Sequence, residues 1–290
     1  MNRTPLLVLG SALCLPVAAL AQPPGTPFDA PVVQFGPNSP AMQRLFDFDG
    51  DGDLDAVGGR VAVSCSGFPC TATNWDTRVW SNDGAGRFQV YMQENGGALP
   101  TGSNPQGLPI AVGDMNGDGF DDFAQAAGSE IWRYYAPGPG GIFFSKAVEN
   151  VGVPIRALAV ADFDGDGAAD VGVLTNSTVE VHWAAGGATA VPYAGLVGAS
   201  DRLVVMDTDG DPLPDLLLVM GWEMRPFTVG AASITPGSSM AYVSYGPMVD
   251  AGDIDADGDE DIVAFFPPTF SAPAQVEIHR RTGATTWVQE

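Results

Sequence analysis

An acidic nine-residue motif occurs five times in this chain, always in the frame Asp-x-Asp/Asn-x-Asp-x-x-x-Asp. The copies are DFDGDGDLD at 47–55, DMNGDGFDD at 114–122, DFDGDGAAD at 162–170, DTDGDPLPD at 207–215 and DIDADGDED at 253–261. Their starts lie 67, 48, 45 and 46 residues apart. A period in the mid-forties confines the chain to a repeat architecture, in which each unit buries its apolar faces against its neighbours.

The flanking residues decide what kind of unit this is. IAVG (110–113), LAVA (158–161) and LVVM (203–206) precede the motifs; VGVLT (171–175), LLLVM (216–220) and IVAFF (262–266) follow them. Short apolar runs of this kind, bounded by Gly, Pro and Asp, are strand signals, and no later segment sustains helical periodicity. A third strand is expected at TRVW (77–80), SEIW (129–132), VEVH (179–182) and VEIH (276–279), and a fourth after turns such as NDGAGRFQVY (82–91). Four short strands, with the acidic loop joining the first two, describe one blade of a β-propeller. The expectation is therefore an all-β chain of about five four-stranded blades, with six blades or an open array as alternatives. The longer first interval reads as an insertion between about 60 and 80, and Val32–Phe35 as a strand that closes the ring by covering a sheet edge.

The acidity is concentrated in the repeats. The chain of 290 residues carries 12 basic and 35 acidic side chains, a net charge of −23, and the five motifs hold 23 of the acidic ones. Such a balance points to cation sites and disfavours nucleic acid or an anionic membrane as partner. Arg3, the apolar run Leu6–Leu20 and Ala19-Leu20-Ala21 read as a signal peptide over 1–21, cleaved after Ala21. The expected product, 22–290, is a single secreted domain, extracellular or periplasmic and monomeric, without membrane insertion. Cys65 and Cys70 in CSGFPC would suit a local disulfide in an oxidising compartment, with two unlinked thiols as the alternative.

The five motifs in this strand context resemble FG-GAP or VCBS repeats, the calcium-loop blades of the integrin α-subunit head and of many exported bacterial proteins. NDGAGRF at 82–88 is similar to that family's turn between the last two strands. The resemblance covers essentially all of 22–290 and implies a propeller and calcium, but no particular ligand.

Calcium takes six to eight oxygens from carboxylates, carbonyls and water. The expected ligands, at motif positions 1, 3, 5, 7 and 9, are Asp47, Asp49, Asp51, Asp53 and Asp55; Asp114, Asn116, Asp118, Phe120 and Asp122; Asp162, Asp164, Asp166, Ala168 and Asp170; Asp207, Asp209, Asp211, Leu213 and Asp215; and Asp253, Asp255, Asp257, Asp259 and Asp261. The seventh position would contribute its carbonyl. An EF-hand would need Glu at position 12, where Gly58, Gln125, Val173, Leu218 and Ala264 stand. Up to five calcium ions are expected, with the 207–215 site the weakest. There Pro212 replaces the sixth-position glycine, fixing φ near −65° and removing an N–H. Turn chemistry alone would account for Asp and Gly, but not for the fixed frame.

No catalytic residue is expected. His182 and His279 fall at equivalent third-strand positions, where Trp80 and Trp132 stand in the first two repeats, a pattern of packing. Trp75, Tyr134, Tyr135 and Trp222 either stack on a sugar or pack between blades. The function expected is a calcium-binding module for adhesion or for binding a protein or glycan. The alternatives are a polysaccharide hydrolase or lyase and a structural part of a surface assembly.

Overall fold

The computed structural model describes residues 44–64, 71–96, 108–193, 201–221, 223–241, 248–266, 273–283 and 286–289. Residues 1–21, Val32–Phe35, Cys65, Cys70 and Trp222 lie outside these residues.

All the regular structure among them is β, arranged as five antiparallel sheets in chain order. The first comprises β1 (Arg44–Phe46), β2 (Asp55–Ser64), β3 (Thr71–Asn82) and β4 (Phe88–Gly96). The second comprises β5 (Ile110–Gly113), β6 (Asp122–Ala127), β7 (Glu130–Tyr135) and β8 (Ser145–Asn150). The third has β9 (Ala157–Ala161), β10 (Asp170–Leu174), β11 (Thr178–His182) and β12 (Ala188–Pro192). The fourth has β13 (Arg202–Met206), β14 (Asp215–Val219), β15 (Glu223–Gly230) and β16 (Ser233–Pro236), with β17 (Met240–Ala241) also paired to β15. The fifth has β18 (Met248–Gly252), β19 (Asp261–Phe266), β20 (Gln275–Gly283) and β21 (Thr286–Gln289). Each sheet is an open meander whose strand ladders pair only its own strands, and each acidic motif joins its first two strands.

The second strands explain how the sheets stack. Every residue of β10 and β14 is buried, although successive side chains of a strand point to opposite faces. Both faces are therefore covered. Leu216 and Leu218 pack with Val179 and Val181 of the third sheet, while Leu217 and Val219 pack with Ile262 and Ala264 of the fifth. Similar apolar layers lie between the first and second sheets and between the second and third. Each fully buried leucine in such a layer contributes about 1.5–3 kcal/mol. The outermost strands face solvent, and β8 and β12 are mostly exposed.

First strands adjoin first strands: β1 lies by β5, β5 by β9, β9 by β13 and β13 by β18. Arg44, Ala111, Leu158, Leu203 and Val249, one from each of these five strands, line a common cavity of about 460 Å³. This arrangement is consistent with a β-propeller-like fold. The added length of the first repeat extends the β2–β3 hairpin, whose described pairing ends at Ser64 and Thr71.

One expected register is corrected. The residue after each ninth-position Asp pairs with Trp80, Tyr134, His182, Phe227 and His279 in turn. Tyr134, not Trp132, is the second-sheet counterpart of the two histidines, because β7 starts directly after a tight turn at Gly128-Ser129 and runs two residues further.

Candidate metal loops

The first aspartate organises each loop. Asp47 Oδ1 accepts the N–H of Gly50 at 2.8 Å, and its Oδ2 accepts that of Gly52 at 3.0 Å. Asp114 does the same with Gly117 and Gly119, both at 2.7 Å, and Asp162 with Gly165 at 2.8 Å and Gly167 at 2.9 Å. Both glycine donors of the first loop have positive φ, +73° at Gly50 and +88° at Gly52. Glycine adopts these angles without steric penalty. The fourth position shares the positive φ expected of the sixth.

The ninth aspartate is buried in all five loops. One carboxylate oxygen accepts the N–H of the second loop residue: Phe48, Met115, Phe163, Thr208 and Ile254, at 3.0–3.3 Å. The other accepts an N–H at the end of the third strand: Asn82, Ala136, Ala184, Val229 and Arg281, at 2.6–3.0 Å. This tie between loop and sheet was not foreseen. Its signal is a constant spacing, 14 residues from Asp122, Asp170 and Asp215 to the donor. Burial pushes Asp122 up to about 7, Asp55 and Asp170 to about 6, and Asp215 upward as well, with neighbouring loop carboxylates adding and the N–H donors opposing.

Positions 1, 3 and 9 converge. Asp47, Asp49 and Asp55 each offer an oxygen within 4.8 Å of the others, as do Asp162, Asp164 and Asp170, Asp207, Asp209 and Asp215, and Asp253, Asp255 and Asp261. Two oxygens on opposite sides of a calcium ion, each about 2.3–2.6 Å from it, are about 5 Å apart. The donor sets therefore have the spacing and the hard-oxygen chemistry of a calcium site. In the second loop Asn116 stands at position 3, its Nδ2 donating to Asp118 Oδ2 at 2.9 Å.

The fifth-position carboxylates stand outside these groups. Asp51, Asp118, Asp166, Asp211 and Asp257 each accept the N–H of the seventh residue, at 2.8–3.0 Å. In the second, third and fourth loops the seventh-position side chain lies against the preceding loop. A Cβ at Gly50 would stand 2.5 Å from Phe120 Cε1, one at Gly117 would stand 3.9 Å from the Ala168 Cβ, and one at Gly165 would stand 3.1 Å from Leu213 Cδ2. Backbone contacts continue this chain of neighbours. Asp47 N donates to Asp121 Oδ2 at 3.1 Å, Ala169 N to Asp114 O at 2.6 Å and Asp207 N to Glu260 Oε2 at 2.7 Å. The eighth residues Asp121 and Glu260 thus act between loops, a role not read from the sequence.

Of the aromatic candidates, Trp75 and Tyr134 are core. Trp75 lies 4.9 Å from the Trp132 ring, and Tyr134 stacks on Phe123 at 4.4 Å. Tyr135 is half-buried. Both histidines are buried: His182 Nδ1 lies 2.6 Å from Glu149 and Nε2 3.1 Å from Glu180, while His279 Nε2 lies 3.5 Å from Glu277. Burial, opposed by Glu277, pushes the His279 imidazole down.

No protein-family model and no curated protein matches the chain. Among solved structures it is similar to a Photorhabdus luminescens Tc holotoxin pore, with TM-score 0.47 and 15% identity over 88% of this chain and 12% of that one. It is also similar to BBS1N crystallised with ARL6DN, with TM-score 0.49 and 13% identity over 81% of this chain and 66% of that one.

Proposed function

We propose that the chain is an exported, calcium-binding β-propeller of the FG-GAP or VCBS kind, serving as a binding or adhesion module for a protein or glycan. The observation that carries this reading is the recurrence of one carboxylate group, positions 1, 3 and 9, at four of the five loops, with successive loops in mutual contact. Clustered carboxylates repel one another, and a divalent ion placed among them converts that repulsion into attraction. Calcium would lock a loop that holds it to its sheet through the buried ninth aspartate. The rigid stack would then present its connecting loops to a ligand.

The test is retention of labelled full-length chain on arrayed glycans and extracellular-matrix proteins, in calcium and in chelator. Calcium-dependent retention on one ligand class is expected. Absence of retention, together with cleavage of a polysaccharide by the same preparation, would overturn the module in favour of an enzyme.

A further inference from the structure

Three departures from the repeat meet at one carboxylate group. The first is Pro212. In the other four loops the sixth residue is a glycine whose N–H donates to Oδ2 of the first aspartate, at 3.0, 2.7, 2.9 and 3.1 Å. Proline has no N–H to give. The second is Arg281, on β20 of the fifth sheet. Its Nη1 donates to Asp207 Oδ1 and its Nη2 to Asp207 Oδ2, both at 3.0 Å, and Nη2 also reaches Asp259 Oδ1 at 2.7 Å. The equivalent positions of the other sheets hold Asn82, Ala136, Ala184 and Val229, none of them cationic. The third is Thr208. At the second position, where the other loops carry Phe48, Met115, Phe163 and Ile254, its hydroxyl donates to Asp215 Oδ2 at 2.5 Å.

We infer that Arg281 is the resident cation of the fourth loop: its guanidinium takes the role a divalent ion takes in the other four, so the chain binds four ions rather than five. The inference rests on the calcium reading of the loops. A bidentate guanidinium–carboxylate pair is directional and strong, and the Arg281 side chain is only 1% exposed. A buried arginine is tolerated when carboxylates compensate it; Asp207 and Asp259 do so here. Burial pushes Asp207 up, but bonds from Arg281, Gly210 and Asp209 outweigh this and hold its carboxyl below the usual range. A second cation brought against Asp207 would face the guanidinium at contact distance and be repelled. The arginine comes from the next sheet, so it also clasps the fourth and fifth sheets together without metal.

Calcium stoichiometry by native mass spectrometry of the full chain tests this. The variants Asp164→Ala and Asp209→Ala remove the third-position carboxylate from the third and fourth loops. The wild type should carry four ions, Asp164→Ala three and Asp209→Ala still four, and Arg281→Gln should gain a fifth. Five ions in the wild type, falling to four in Asp209→Ala, would overturn the inference. So would a count of four in folded Arg281→Gln. If Arg281→Gln fails to fold, the two aspartate variants still decide. No bound calcium in the wild type would defeat the calcium reading itself.

Discussion

The ninth aspartate of each loop serves the sheet before it serves any ion. Both oxygens of Asp170 accept backbone N–H groups, from Phe163 at 3.1 Å and from Ala184 at 2.7 Å. Asp170→Asn replaces one acceptor with an N–H donor, so one buried backbone donor loses its partner. That should cost about 1–3 kcal/mol in chelator, and in calcium the loss of the loop's ion adds to it. Asp164 stands in the same oxygen group but makes no such tie to the third strand. Asp164→Ala should change stability in chelator by less than about 0.5 kcal/mol, while losing the calcium increment of its loop. Urea unfolding of both variants with and without calcium separates the roles; equal losses in chelator would contradict the division. The frame of aspartates was plain in the sequence, but this division was not. All five ninth residues are Asp, and only the fold reveals the donors brought to them from 14, 20 or 27 residues away.

At the scale of the loop, backbone handedness is the recurrent demand. The fourth residue has φ of +73°, +71°, +75° and +89° in the first four loops, always as glycine, and +62° at Ala256 in the fifth. A left-handed conformation strains an alanine by about 1–2 kcal/mol, part of which the looser unfolded chain of a glycine variant takes back. Ala256→Gly should therefore stabilise the chain by about 0.5–1 kcal/mol, raising the thermal midpoint by roughly 1–4 °C. A lowered midpoint would show that Ala256 is not strained. How far each strand could be read follows from its solvent exposure. The second strands β10 and β14 were legible because burial on both faces demands unbroken apolar runs; β19 keeps such a run although Phe265 is exposed. The outer strands β8 and β12 carry exposed SKAVEN and ATAVP, which have no such constraint, and only the turn before β4 pointed to strands of this rank. In the second repeat, matching Trp132 to Trp80 by residue type placed the third strand two residues out of register. Counting 14 residues from the ninth aspartate would have found Ala136 and the correct frame.

For the whole molecule, apolar layers and loop ties hold the five sheets, and their proportions differ along the stack. Between the third and fourth sheets the layer is broad, from Leu174 and Val181 to Leu216, Phe227 and Ile234. Between the fourth and fifth it is smaller, and the Arg281 bridge to Asp207 and Asp259 supplements it. Elsewhere the acidic loops carry repulsion that a bound cation would relieve, the fifth with Arg280 Nη1 already paired to Asp255 Oδ2 at 2.8 Å, so calcium is expected to be part of the folded state. An ion that binds the native state alone stabilises it by about 2.7 kcal/mol for each site held at a hundred times its dissociation constant. The direct measurement is the thermal unfolding midpoint of the full chain in millimolar calcium and in excess chelator. A clearly higher midpoint in calcium, rising further with calcium concentration, is expected; identical midpoints in the two buffers would mean that calcium is no part of the folded state.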